Sequence, residues 1–160
     1  MLVAISTSSG AVSQTRLSHR IVIADHAPTV REALRWLLDN ELDFEVIGEA
    51  TNSAETLSRA MDLAPDLVIV DIDLPNVGGY TVARMLKQLP QPPLVVLMDI
   101  TRKHVQSPVQ PSSSRQDAAA DYDGIIRQGN DWPNIITQIR VLLAQQLLDD
   151  NTTHSTESAD

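Results

Sequence analysis

The chain has no cysteine, which excludes disulfides, thiolate metal centres and cysteine nucleophiles and is neutral about compartment. Aromatic residues are only 3% of the 160 residues, so any core must be built from Leu, Ile, Val and Ala. Basic residues are also few: 12 Lys and Arg against 21 Asp and Glu leave a formal net charge of -9. Such a balance repels a phosphate backbone, so direct nucleic-acid binding is not expected. No apolar run reaches the ~20 residues of a membrane-spanning helix. The short apolar start, Met1 to Ile5, lacks the basic flank and the h-region of about 7–15 residues that mark a secretory signal. It reads as the untargeted tail of a cytoplasmic protein.

What is present is an alternation of two periodicities. Short apolar runs at Ile21–Ala24, Phe44–Gly48, Leu67–Val70, Leu94–Met98 and Asp123–Ile126 predict five strands, most of them buried on both faces. Between them lie stripes at helical spacing. The first is Val30, Ala33, Leu34, Leu37 and Leu38, entered through Pro28, whose missing N–H costs nothing in a first helical turn. The second is Ala54, Leu57, Met61 and Ala64, opened by Asn52 and Glu55 as a capping box and stopped by Pro65. Val82, Ala83, Leu86 and Leu89 make a third, and Ile135, Ile136, Ile139, Leu142, Leu143 and Leu147 a last one, with Asp131 as its expected cap. Trp36 falls off its stripe and is expected to be a half-buried surface aromatic in preference to a contact for a partner.

Between the fourth and fifth strands the stripe fails. Residues 101–120 are read as a polar loop in place of a fourth helix, Pro-, Ser- and Gln-rich from Ser107 to Arg115. Residues 1–19 are expected to be a flexible leader, 20–148 a single domain, and 149–160 a disordered acidic tail. Strand–helix alternation implies an α/β fold, a doubly wound parallel sheet with right-handed crossovers and helices on both faces.

Three of the buried strands end at or beside an aspartate: Asp25, Asp71 and Asp99. In a parallel sheet the carboxyl ends of the strands share one edge, where ligands gather. Clustered carboxylates repel unless a hard cation such as Mg²⁺ lies between them. Asp71, followed by Pro75 and the pair Gly78-Gly79, is the candidate nucleophile of a metal-assisted phosphoryl site, aspartyl phosphate being an established covalent intermediate. The competing reading is that Asp is simply a good residue for a loop after a strand. The coincidence of Asp25, Asp71 and the glycine-bearing turn favours function.

These residues in this order, strand–Asp25 and then strand–Asp71-x-x-x-Pro75-x-x-x-Gly79, resemble the receiver domain of two-component response regulators. The runs Ile23-Ala-Asp-His-Ala-Pro-Thr-Val-Arg-Glu32 and Phe44-Glu-Val-Ile-Gly-Glu-Ala50 are similar to receivers that precede a helix-turn-helix output domain. The resemblance implies a flavodoxin-like, five-stranded parallel sheet in the order 2-1-3-4-5. It implies Asp71 as phosphoacceptor, and Asp25, Asp71 and the backbone carbonyl of Asp73 around Mg²⁺. Several positions depart from the pattern. His26 stands where the second acid of the pair would ligate the metal, and a neutral imidazole suits Mg²⁺ poorly, so a weak site is expected. Met98 stands where a Ser or Thr would bond the phosphoryl group. The lysine after the fifth strand falls on Arg127 or Gln128, and the switch aromatic before it on Gly124 or Ile125.

The function implied is signal transduction in a phosphorelay, with a histidine kinase or other signalling protein as partner and no enzymatic activity of its own. Switching is expected to be weak or independent of phosphorylation, the latter being a pseudo-receiver used as an interaction module. The final helix is expected to end near Leu148, with no output domain after it, so output would pass to a homodimer or another regulator. A remote alternative is a phosphohydrolase, because Asp71-Ile-Asp73 superficially resembles the Asp-x-Asp of haloacid-dehalogenase-type enzymes. That motif normally ends the first strand of its domain, whereas Asp71 ends the third.

Overall fold

β-Branched and aliphatic runs too short for helices and too apolar for the surface settle into the middle of a sheet. The computed structural model describes residues 18–100, 121–127 and 132–153. Within them β1 (His19–Ala24), β2 (Phe44–Ala50), β3 (Leu67–Asp71), β4 (Leu94–Asp99) and β5 (Gly124–Arg127) alternate with α1 (Pro28–Asp39), α2 (Ser53–Leu63) and α3 (Gly79–Lys87), and α4 (Trp132–Thr153) closes the series. The strands form one sheet in the order β2-β1-β3-β4-β5, every pairing parallel. Both the strand order and the doubly wound architecture match the expectation.

Side-chain alternation along each strand splits the apolar residues into two cores. Ile21, Ile23, Leu67, Ile69, Leu94, Val96 and Met98 face α1 and α4, meeting Leu34, Leu38, Ile135 and Ile139. Val22, Ala24, Val68, Val70, Val95 and Leu97 face α2 and α3, meeting Ala60, Val82, Ala83 and Leu86. The partition fixes the functional edge. Asp25 and Asp71 continue the odd-numbered rows of β1 and β3, so both carboxylates leave the sheet on the side of α1.

The helices depart from their sequence stripes in instructive ways. In α2 the buried residues are Ser53, Thr56 and Ala60, while Ala54 is exposed and Met61 is 63% exposed. The helix is turned by about one residue, roughly 100°. Its inward hydroxyls are satisfied locally: Thr56 donates to the Asn52 carbonyl at 2.8 Å, and Ser53 to the Pro75 carbonyl at 2.7 Å. Of the expected stripe only Leu57 packs against the core, beside Ala60 and Leu63, while Ala54, Met61 and Ala64 face outward. In α1, Ala33 is exposed and Trp36 is 71% exposed, so the tryptophan is not half-buried as expected. The cap of α2 forms with one change: Asn52 accepts from the Glu55 N–H at 3.0 Å, but Glu55 reaches back to the N–H of Thr51, not of Asn52.

Helix α4 runs five residues beyond the expected end at Leu148, through Thr153, because no glycine or proline interrupts the sequence from Asn134 onward. The 1–17 portion of the leader, the 101–120 loop with the degraded fourth helix, the cap at Asp131 and residues 154–160 lie outside the described residues.

The turn after β3 is the least forgiving part of the frame. Gly78 has φ 79°, a left-handed conformation that side chains resist. A Cβ on Gly79 would stand 2.7 Å from Ile72 Cα and closer still to the Asp71 carbonyl oxygen, both backbone atoms that cannot move aside. Gly79→Ala is therefore expected to cost about 1–3 kcal/mol or more in urea unfolding, the range of overpacked sites. Gly124→Ala, whose added methyl meets only the flexible tip of Leu142, should cost clearly less; equal losses would show that the turn can yield.

Candidate functional site

The register of the sheet assembles the site. Ala24 pairs with Val70, so the next residues, Asp25 and Asp71, emerge side by side. Asp71 in turn pairs with Met98 on the neighbouring strand. Both carboxylates are only 2% exposed. Each is held by a backbone N–H two residues further on: Ala27 donates to Asp25 Oδ1 at 2.7 Å and Asp73 to Asp71 Oδ1 at 3.0 Å. His26, half-exposed at the rim, places Nδ1 3.0 Å from Asp71 Oδ2 and 3.9 Å from Asp25 Oδ1. An ionised carboxylate only accepts, so in this contact Nδ1 carries the hydrogen.

Burial pushes the Asp25 carboxyl above its ordinary value, and the neighbouring charge of Asp71 adds to the effect. The Ala27 N–H, His26 and Arg31 pull in the opposite direction without cancelling it. Arg31 also donates to the Asp25 carbonyl at 2.7 Å and to Glu49 at 3.1 Å, tying the β1–α1 turn to β2. Arg35 bonds the same Glu49 at 2.6 Å and, with Arg31, holds its carboxyl below the ordinary range.

Sequence reasoning placed Asp25, His26, Asp71 and Met98 here, and they do converge. Asp99 does not. Alternation along β4 turns its side chain to the opposite face from Met98, and its Oδ1 is buried without a hydrogen-bond partner among the described residues. Asp73 is exposed and enters through its backbone N–H. Arg127 is the last residue of β5, exposed and opposite Asp99 in the strand register, while Gln128 lies outside the described residues. Two contributors were missed. Ser53 Oγ, besides donating to the Pro75 carbonyl, accepts from the Val77 N–H at 3.3 Å and so pins the turn after Asp71. Arg31 braces Asp25. A basic residue facing inward one turn into α1 was the available signal for Arg31; nothing marked Ser53.

The description "Response regulator receiver domain" fits a family profile that matches residues 21–110. The chain belongs to the response-regulator receiver family. The matched span holds Asp25, His26, Asp71 and Met98 and ends before β5. Among curated proteins, this receiver is 35% identical over 78 residues to the transcriptional regulatory protein BtsR of Salmonella typhi, covering 49% of the chain and 33% of that protein. It is 31% identical over 84 residues to protein-glutamate methylesterase/protein-glutamine glutaminase 2 of Carboxydothermus hydrogenoformans, covering 52% of the chain and 24% of the relative. The match thus spans a third or less of the length of these relatives. Solved structures agree in fold. A LuxR-family two-component response regulator from Aurantimonas sp. SI85-9A1 superposes with a TM-score of 0.67 at 24% identity, covering 80% of this chain and 86% of the other. The response regulator domain of Thermotoga maritima CheB gives 0.65 at 20% identity, covering 79% and 97%. Among the described residues no helix is long and apolar enough to cross a membrane.

The raised Asp25 carboxyl has a stability consequence. The folded state holds that proton more tightly than the unfolded chain, so its favourable contribution is complete below the ordinary value of 3.8 and is lost as pH rises through the folded value. Asp25→Asn removes that loss. It is expected to raise the melting temperature at neutral pH, with the advantage over wild type shrinking as pH falls toward 3.8. A variant that melts lower than wild type at pH 7 would show that the Asp25 charge is compensated after all.

Proposed function

We propose that this receiver keeps Asp71 at the phosphoacceptor position in two-component signalling while switching weakly on, or independently of, phosphorylation. The unit that does so extends from residue 20 through α4. The observation that carries the reading is Met98, fully buried, in register beside Asp71 and on the same face of the sheet. A phosphoryl group on Asp71 would need a donor there to pull β4 and the following loop toward it. A thioether has none.

The attacking atom points the same way. Asp71 Oδ1 is engaged by the Asp73 N–H, which leaves Oδ2 to form the new O–P bond as the donor's P–N bond breaks and its electron pair stays on the donor's imidazole. His26 Nδ1 already sits 3.0 Å from Oδ2. A hydrogen bond at the attacking oxygen lowers its nucleophilicity and must be broken before transfer. Receiver domains bind Mg²⁺ at an acidic pocket; here the corresponding group is Asp25, His26 and Asp71. An imidazole among the donors does not fit a small cation that demands near-octahedral oxygen, so no step of the proposal runs through Mg²⁺. The partners that fit are a histidine kinase or another signalling protein upstream, and a second copy of the chain or another regulator as the recipient of the signal. Interaction through the fold itself, the pseudo-receiver use, is favoured by the same two residues.

Incubation with acetyl phosphate, with and without Mg²⁺, is expected to give slow or no modification of Asp71 by intact-mass measurement. Fast, stoichiometric labelling that disappears in Asp71→Asn would sink the proposal.

A further inference from the structure

The imidazole that disqualifies Mg²⁺ qualifies a different ion. We infer that Asp25, His26 and Asp71 form a site for a divalent first-row transition metal of the Zn²⁺ class, with His26 as the ligand that sets the preference. The inference concerns the site of the proposed phosphoacceptor and rests on that reading for treating Asp25, His26 and Asp71 as one functional pocket.

The donor set is one imidazole nitrogen and two carboxylate oxygens, and one atom from each residue lies within 4.8 Å of the other two. Imidazole suits Zn²⁺, Cu²⁺ and Ni²⁺, whereas Mg²⁺ selects carboxylate, carbonyl and water oxygens. Three protein ligands with remaining positions open to solvent is the ordinary pattern of an accessible zinc site. The carboxylates are placed as ligands usually are. They are 2% exposed and oriented from behind by backbone N–H groups, Ala27 on Asp25 and Asp73 on Asp71. Arg31 holds the turn that carries Asp25, through its carbonyl. The third ligand has freedom that the others lack: the His26 side chain is 50% exposed, so its ring can turn to meet an ion without disturbing the core.

Electrostatics supports occupancy. Asp25 and Asp71 are confined side by side, each 2% exposed, where two ionised carboxylates repel. Nδ1 now directs its hydrogen toward Asp71, and a divalent ion would take that position between the same three residues with the ring proton held on Nε2 or released to solvent. Loss of the second acid reduces the oxygen count that Mg²⁺ needs but leaves enough negative charge to neutralise a dication. The replacement is thus better described as a change of ion than as the loss of a site.

The test is a pair of calorimetric titrations of untagged, chelator-treated protein, one with Zn²⁺ and one with Mg²⁺, and no phosphodonor present. Wild type should bind one Zn²⁺ and should not be displaced from it by Mg²⁺ at equal concentration. On binding, the ¹⁵N resonance of one His26 ring nitrogen should shift to a metal-bound position. His26→Asn should weaken Zn²⁺ by no less than the roughly 10–100-fold that losing a partner behind a ligand costs. His26→Asp should tighten Mg²⁺ while weakening Zn²⁺, and Asp25→Asn should weaken Zn²⁺. Unaltered Zn²⁺ binding in His26→Asn, which would place the ion at another histidine, overturns the inference, as does Mg²⁺ affinity in His26→Asp no better than wild type. Fast labelling of Asp71 by acetyl phosphate would defeat the functional reading above and leave these titrations as they stand.

Discussion

Two buried carboxylates lying side by side set the terms for everything near the carboxyl edge of this sheet. Taking an ionised carboxylate out of water costs several kcal/mol even after relaxation, and each hydrogen bond to the charge returns about 1.5–3 kcal/mol. The chain supplies those bonds from the backbone. Asp25 and Asp71 each accept the N–H two residues further along, so the turns that follow β1 and β3 are shaped by the charges they solvate. Neither turn is free to change length. The pocket is rigid because its charges would otherwise be unpaired.

The rigidity propagates outward through contacts that are individually small. The turn after Asp71 folds back until Gly79 donates to the Ile72 carbonyl at 3.0 Å, an approach that leaves no room for a side chain. Ser53, at the start of α2, clasps the same turn from the other side. That clasp explains why α2 buries hydroxyls and leaves Met61 in solvent. With Ser53 turned to Pro75, the face toward the sheet carries Leu57, Ala60 and Leu63, and Met61 falls outside it. On the opposite face α4 is fastened to the amino end of β2, where Arg140 reaches Asp43 and Glu41 at 2.6–2.8 Å and lies over the Phe44 ring. The single phenylalanine, the first residue of β2, is thereby covered from the side of α4.

The strands were readable because apolar runs of four to six residues buried on both faces have few alternatives to the centre of a parallel sheet. Asp25 and Asp71 followed from the same logic, since a strand's first polar residue marks where it leaves the core. Asp99 obeyed that rule and still missed the site. Whether a carboxylate joins its neighbours depends on its parity in the strand, and the parity of β4 follows from Met98 being buried toward α1. The α2 face was unreadable for a related reason: a pattern of apolar residues carries no record of which hydroxyls have partners 22 residues away. Ser53 left no trace in the sequence. Trp36 shows the limit from the other side, an aromatic off the stripe that packs against little and remains 71% exposed.

On the proposed reading, His26 and Met98 are separate departures from the family pattern that flank one carboxylate, Asp71. Oδ2 of Asp71 is the oxygen not held by the backbone, and His26 occupies it from the rim. Met98 borders the same carboxylate from β4 and offers no donor to anything bound there. A receiver that lost only the hydroxyl at Met98 could still be modified and simply fail to respond. One that changed only the metal position at His26 could still respond if modified by a forcing donor. On the proposed reading the two act in series: His26 engages the oxygen left for transfer, and the neighbouring side chain that would register transfer is apolar. The edge of this doubly wound sheet thus carries two buried carboxylates, an imidazole at the rim and an apolar residue on the adjoining strand.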